Sequence, residues 1–238
     1  MPQLSITFDT TTGSLLVEHP EHLPQEALEH LEQLLGPGQD LGCARPIAVS
    51  PLPPVTDEEL AVQPCVRAAG YYHNSLLEGP GRRSSVLLSG CDMACRGCWV
   101  PQLHPLEGGT VVPVDRLAEV LLDPAYQRDG ISILGGEPFL QPDGLRALVR
   151  ALRTRGCPHI VCYSGHTYDA LLRRAHMQPA IREVLDEIDI LIDGPYVEAL
   201  ASSAGPWTGS GNQRVIDLAA THRAGHPFLL DAHECLPV

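Results

Sequence analysis

From about residue 63 the hydrophobic positions fall into two kinds of stretch. SSVLLSG, ISILGG, HIVCYSG and IDILIDG are short unbroken apolar runs, with RVIDL a candidate fifth. Between them, VDRLAEVLL, QPDGLRALVRALRTRG, TYDALLRRA and PAIREVLDE repeat their apolar residues at helical spacing. Short apolar strands alternating with amphipathic helices predict an α/β fold of βαβ units with a parallel sheet. Right-handed crossovers would curl such a sheet toward a partial barrel.

The first part of the chain follows another rhythm. LSITF and SLLVE flank DTTTG as two β-type runs, which predicts a hairpin. HLPQEALEHLEQLLGPG then places Leu28, Leu31 and Leu35 on one helical face, with Ala27 and Leu34 beside them, and Gly36-Pro37-Gly38 as a stop. ARPIAVSPLPPV is proline-rich and reads as an extended linker. Residues 1–62 are therefore expected to form a small α+β appendage without an assigned function, and 63–238 the core domain.

Most strands of the core end in residues that break the hydrophobic run: SGC, GGEP, YSGHT and DGPY. In parallel α/β folds the carboxyl ends of the strands carry the site. Four polar, glycine-containing ends thus converge on one rim.

Charge and composition narrow the partners. A formal net charge of -13 and a pI near 5.2 argue against a nucleic-acid backbone or an anionic membrane as partner. No apolar run approaches the roughly 18 residues of a membrane span. The N-terminus lacks a basic segment followed by an apolar one, so a cytoplasmic protein without a secretory leader is expected. All 16 basic residues are arginine, which excludes lysine nucleophiles and Schiff bases. Arg82 and Arg83, just before the first core strand, read as surface charges.

Eight cysteines in such a chain point to metal or catalysis before disulfides. Cys43, Cys65, Cys157, Cys162 and Cys235 stand apart, and Cys157 and Cys162 flank a strand where burial as small hydrophobes is expected. Cys91, Cys95 and Cys98 form C-x3-C-x2-C directly after the strand SSVLLSG. Four readings fit that spacing. A structural zinc would need a fourth ligand, which His104 is near enough in sequence to supply. A catalytic zinc with three thiolates and a water has no obvious base nearby. A [4Fe-4S] cluster on three thiolates would keep one iron free for a substrate or cofactor. Packing cysteines are disfavoured by Asp92, Arg96 and Gly97, which make the loop polar.

ISILGGEP adds a second feature one βα unit later. Gly135 and Gly136 remove side chains at the rim, and Glu137 offers a carboxylate, either to a cationic ammonium or to cap a strand-end turn.

Together these motifs make the chain resemble the radical S-adenosylmethionine enzymes, which implies that the partial barrel is the (βα)6-type parallel one of that kind. More narrowly, YHNSLLEGPGRRSSVLLSGC, VCYSGHT, IDILIDGPYV and PWTGSGNQRVIDL resemble the anaerobic ribonucleotide reductase activating proteins and related glycyl-radical-enzyme activases. The resemblance implies that Cys91, Cys95 and Cys98 hold a [4Fe-4S] cluster whose open iron is chelated by S-adenosyl-L-methionine. Reduction would cleave the sulfonium bond to methionine and a 5'-deoxyadenosyl radical. It further implies that Gly97 and Trp99 flank the adenine and that Glu137, with the backbone of Gly135 and Gly136, holds the methionyl ammonium. Ser164 and Asp193 stand as rim contacts to ribose or substrate, or equally as strand-end hydrogen bonds. Trp207, Asn212, Gln213 and Arg214 would shape the far side of the site or a partner channel.

The implied partner is a glycyl radical enzyme, and the implied electron source an external one-electron donor such as flavodoxin or ferredoxin. The chain departs from the family pattern at Val100, where asparagine is usual, and at Gly211, where a serine is usual. Two other readings stay open: radical modification of a peptide or small molecule, and a zinc or iron-sulfur protein without radical chemistry, with His104 as the discriminating ligand.

Overall fold

The computed structural model describes residues 5–9, 14–18 and 49–235. The chain divides into two compact units, 1–50 and 51–238. In the first, strands β1 (Ser5–Asp9) and β2 (Ser14–Glu18) pair antiparallel from Ser5–Glu18 to Asp9–Ser14, as the hairpin pattern predicts. The expected helix around Leu28, Leu31 and Leu35, its glycine stop and Cys43 lie outside the described residues. Pro51 to Val62 belongs with the second unit, where Leu52 and Val55 pack on the core. A short helix, α1 (Asp57–Val62), follows, closed by a capping box in which Thr56 and Glu59 satisfy each other's backbone.

The second unit is an eight-stranded mixed sheet. Its strands are β3 (Cys65–Ser75), β4 (Arg83–Leu88), β5 (Thr110–Pro113), β6 (Gly130–Gly135), β7 (Ile160–Ser164), β8 (Ile190–Asp193), β9 (Arg214–Asp217) and β10 (Phe228–Leu229). They lie in the order β10-β9-β8-β7-β6-β4-β3-β5. Parallel pairing is confined to β4, β6, β7 and β8. Helices α2 (Val114–Leu121), α3 (Pro142–Thr154), α4 (Tyr168–Ala175) and α5 (Pro179–Glu187) make the crossovers, and α6 (Leu218–Ala224) follows β9.

The parallel sheet expected from the pattern holds for β4, β6, β7 and β8 and is corrected on either side of them. β9, the RVIDL strand, runs antiparallel to β8. The link between them contains a 3-10 segment, Glu198–Ser203, and no crossover helix, so the chain returns beside the strand it left. β3, antiparallel to β4, has no counterpart in the hydrophobic runs. Its buried positions alternate through Val66, Ala68, Gly70 and Tyr72, and two of these four are too small to register as hydrophobic.

The helical face of the sheet carries the main core. Val86, Leu88, Ile131, Ile133, Ile160 and Leu191 meet Leu117, Leu121, Leu145, Leu148, Leu152, Ile181 and Leu185. Each such side chain, fully removed from water, contributes about 2 kcal/mol. Cys157 and Cys162 are buried here as free thiols, in the hydrophobic role expected of them. On the opposite face Val161, Ile190, Ile192 and Val215 are covered by Trp207 and Ala232. No helix among the described residues is long and apolar enough to cross a membrane.

Arg83 corrects the surface reading of the arginine pair. Arg82 is half-buried, but Arg83 is wholly buried at the start of β4. Its guanidinium donates to Ser132 Oγ (2.6 Å), Ile131 O (2.6 Å), Pro80 O (2.9 Å) and His159 O (3.3 Å). Burial lowers its pKa to about 10, which still leaves it charged at neutral pH. The cation ties the loop before β4 to β6 and to the approach of β7, closing the end of the strands opposite the rim. Replacing it strands several buried carbonyls, so Arg83→Met is expected to cost on the order of 3 kcal/mol in urea unfolding of the metal-free protein. Arg82→Met is expected to change stability by only about 0.5 kcal/mol.

Candidate functional site

The cysteine loop leaves the carboxyl end of β4 and turns back at a 3-10 segment, Pro101–Leu103. Its base is stitched to the end of β6. Gly136 N donates to Leu88 O and Glu137 N to Gly90 O, each at 2.8 Å, while Gly90 N and Cys91 N reach Leu103 O (2.9 Å) and His104 O (3.1 Å). This seam explains both glycines of GGEP. A Cβ on Gly135 would lie 2.2 Å from Leu88 O, and one on Gly136 would lie 2.2 Å from Gly90 O. Their missing side chains are used first to let two strand ends touch.

The tip of the loop leans on the segment after β8. Gly97 adopts φ +70°, and a Cβ there would lie 2.8 Å from the Glu198 carboxylate, which pairs with Arg96 at 3.3 Å. Trp99 is 68% exposed, and its indole N–H donates to Tyr196 Oη at 3.3 Å. Gly97 and Trp99 therefore both lie against Tyr196–Glu198.

Cys91, Cys95 and Cys98 are free, half-buried thiols. Burial pushes the Cys91 thiol up, with the Glu137 charge acting the same way. Among the described residues no three His, Cys, Asp or Glu side chains converge on one point as ligands of a metal ion. Three free thiols on one short loop are a donor set that fits a [4Fe-4S] cluster with one iron left open.

Glu137 is wholly buried. Its carboxylate accepts from Phe139 N (3.0 Å), Gly165 N (2.8 Å) and Ser164 Oγ (2.9 and 3.1 Å). It caps the turn that follows it and binds the end of β6 to the end of β7. Desolvation raises its pKa to about 7 against these lowering contacts. Met93, from the cysteine loop, lies over Gly165: a Cβ there would be 3.0 Å from Met93 Cγ and 3.5 Å from Glu137 Oε2. Ser164 accepts from His166 N at 3.0 Å besides donating to Glu137, so Ser164 and Glu137 form one network.

Asp193 stands apart from that network. Fully buried, it pairs with Arg214 and accepts from Tyr168 N at 2.6 Å, at the start of α4. The next residues extend the β8–β9 pairing through side chains. Gln213 Nε2 donates to Gly194 O (3.0 Å), Asn212 Nδ2 to Pro195 O (2.8 Å), and Val197 N donates to Ser210 Oγ (3.1 Å). A Cβ on Gly211 would lie 2.2 Å from Ser203 Oγ, which accounts for glycine at this departure from the family pattern. Trp207, at φ +63°, is buried beneath, its carbonyl accepting from Tyr163 Oη at 2.9 Å.

A family model described as a 4Fe-4S single cluster domain matches residues 77–216, a span holding the cysteine loop, the GGEP turn and the β8–β9 ladder. The chain belongs to this family. It is 35% identical over 153 residues to the anaerobic ribonucleoside-triphosphate reductase-activating proteins of Salmonella typhimurium and Escherichia coli K12, covering 61% of this chain and 94% of each relative. It is 34% identical over 91 residues to a putative glycyl-radical enzyme activating enzyme of Haemophilus influenzae, covering 37% of this chain and 34% of that one. Among solved structures, QueE from Escherichia coli aligns with a TM-score of 0.36 and 17% identity, over 48% of this chain and 58% of that one.

In this single-cluster 4Fe-4S protein, sequence reading missed Met93, Gln141, His166, Tyr196 and Glu198. Of these, His166 and Tyr196 carried a signal, as parts of VCYSGHT and IDILIDGPYV. His166 has a buried Nε2 without a hydrogen-bond partner, and burial holds its pKa down.

Glu137 also sets a pH dependence. With its folded pKa raised from 4.5 to about 7, the folded protein keeps a proton that the unfolded chain has lost in between. The stability it contributes is present below 4.5 and is lost as pH rises through 7. From about pH 5.5 to 7.5, metal-free wild type is expected to lose stability relative to Glu137→Gln, by up to about 2 kcal/mol. Parallel urea curves for the two proteins across that range would contradict this.

Proposed function

We propose that this protein is a radical S-adenosyl-L-methionine activase that forms a glycyl radical on a partner enzyme of the anaerobic ribonucleotide reductase kind. The observation that carries the reading is the seam joining the three-cysteine loop to GGEP, in a chain that covers 94% of relatives named for that activation. When bound, the cluster supplies the electron that cleaves the cofactor's sulfonium bond, producing the agent that removes hydrogen from a glycine.

The chain's own residues orient and exclude. Cys91, Cys95 and Cys98 would hold the cluster as thiolates, so loading displaces their protons. Glu137 holds the ends of β6 and β7 together, and its Oε2 faces the same space as Met93, where a cationic ammonium would be favoured by charge. Ser164 keeps that carboxylate in place from below. Asp193 and Arg214 fix the β8–β9 side of the same rim, and Trp99 with Tyr196 presents an aromatic surface beside the loop. Water exclusion at the far end comes from the Arg83 plug.

We read the parallel strands β4, β6, β7 and β8 as the arc of a partial (βα)6-type barrel. Its support is the parallel pairing of these four strands with helices packed on one face. The electron would come from a small external carrier such as flavodoxin or ferredoxin, in the cytoplasm.

Anaerobically reconstituted protein, mixed with S-adenosyl-L-methionine, a reductant and an anaerobic ribonucleotide reductase, is expected to give a glycyl-radical doublet by electron paramagnetic resonance. Cys91→Ala is expected to give none. Cofactor cleavage with no radical on the partner would reject the activase reading.

A further inference from the structure

Leu88, Ser89 and Gly90 lead into the first cysteine, and each gives its carbonyl to the segment after β6. Leu88 O and Gly90 O accept from the backbone of Gly136 and Glu137. Ser89 O, between them, takes no part in that backbone seam. It accepts instead from Gln141 Nε2, at 3.0 Å.

The same side-chain amide grips β3. Gln141 Oε1 accepts from Arg67 N at 2.7 Å, and Nε2 also donates to Arg67 O at 3.0 Å. Arg67 O in turn accepts from Ser89 N at 3.0 Å. The β3–β4 register is irregular at this point, with Ala68 opposite Leu88 but Gly70 opposite Leu87. The Gln141 amide thus acts as a substitute peptide group where the ladder fails. It occupies the N-cap position of α3 yet makes no cap bond there, so its hydrogen-bonding capacity goes to the loop base.

We propose that Gln141 is a positioning residue for the metal centre: by holding Ser89 against β3 it fixes the direction in which the chain enters Cys91. The proposal rests on the reading that the loop carries the cluster, and its test is separable from that reading.

The test compares full-length wild type, Gln141→Leu and Gln141→Glu. Leucine removes all three bonds. Glutamate keeps the acceptor for Arg67 N but loses both donations, to Ser89 O and to Arg67 O. Hydrogen–deuterium exchange of the metal-free proteins is expected to be about tenfold faster in both variants across the peptide Ser89–Cys98, the effect of one to two lost net hydrogen bonds, with β6–β8 unchanged. In reconstituted protein, loss of iron to a ferrous chelator is expected to be on the order of tenfold faster.

Exchange that rises across the whole sheet, stays unchanged, or is restored by glutamate would overturn the proposal. Each would mean that Gln141 serves general stability or β3 alone. Should leucine prevent folding, glutamate decides by the same peptide. If wild type takes up no cluster, the activase reading falls, and the exchange result still decides whether Gln141 holds the loop base.

Discussion

Two parallel strands, β4 and β6, stay in register from Arg83–Gly130 to Leu88–Gly135, and their pairing then runs on past the strands into the motifs. Gly136 N to Leu88 O and Glu137 N to Gly90 O are the last stitches, and Cys91 follows one residue later. Any side chain at Gly135 or Gly136 would fall within bonding distance of opposing backbone, so the seam forms only with glycine. A net hydrogen bond contributes about 1 kcal/mol, a modest sum here. The larger consequence is geometric: the start of the cysteine loop is as rigid as the sheet.

From that seam the rest of the rim is assembled by carboxylates turned inward. Glu137 spends its oxygens on Ser164, Gly165 and Phe139, adding β7 to the joined ends of β4 and β6. Asp193 does the equivalent on the other side, joining β8 to β9 through Arg214 and to α4 through Tyr168. The loop is held at its base by the first group and at its tip by Tyr196 and Glu198, which follow the second. A site whose cofactor performs the difficult chemistry asks for this kind of protein: a frame that orients and keeps water out.

Arg83 closes the frame from the other end. A buried cation held by carbonyls is costly to desolvate, and it persists because its donors meet oxygens from three separate segments. With that end sealed, the strand ends carrying SGC, GGEP, YSGHT and DGPY are left as the chemical rim.

The sequence by itself determined the βα rhythm of β4 to β8, the buried roles of Cys157 and Cys162, and the loop with its three thiols. These are local properties, written in apolar periodicity and residue spacing. It did not disclose β3, whose buried Ala68 and Gly70 give no hydrophobic signal, or the direction of β9, which depends on the missing crossover helix. Nor did it disclose the burial of Arg83 or where Glu137, Asp193 and Gln141 spend their polar atoms. Their partners lie 27, 21 and 74 residues away, and only folding brings a donor to an acceptor over such separations. Tertiary structure decided these because a hydrogen bond depends on distance and direction in space, which residue type and spacing do not encode.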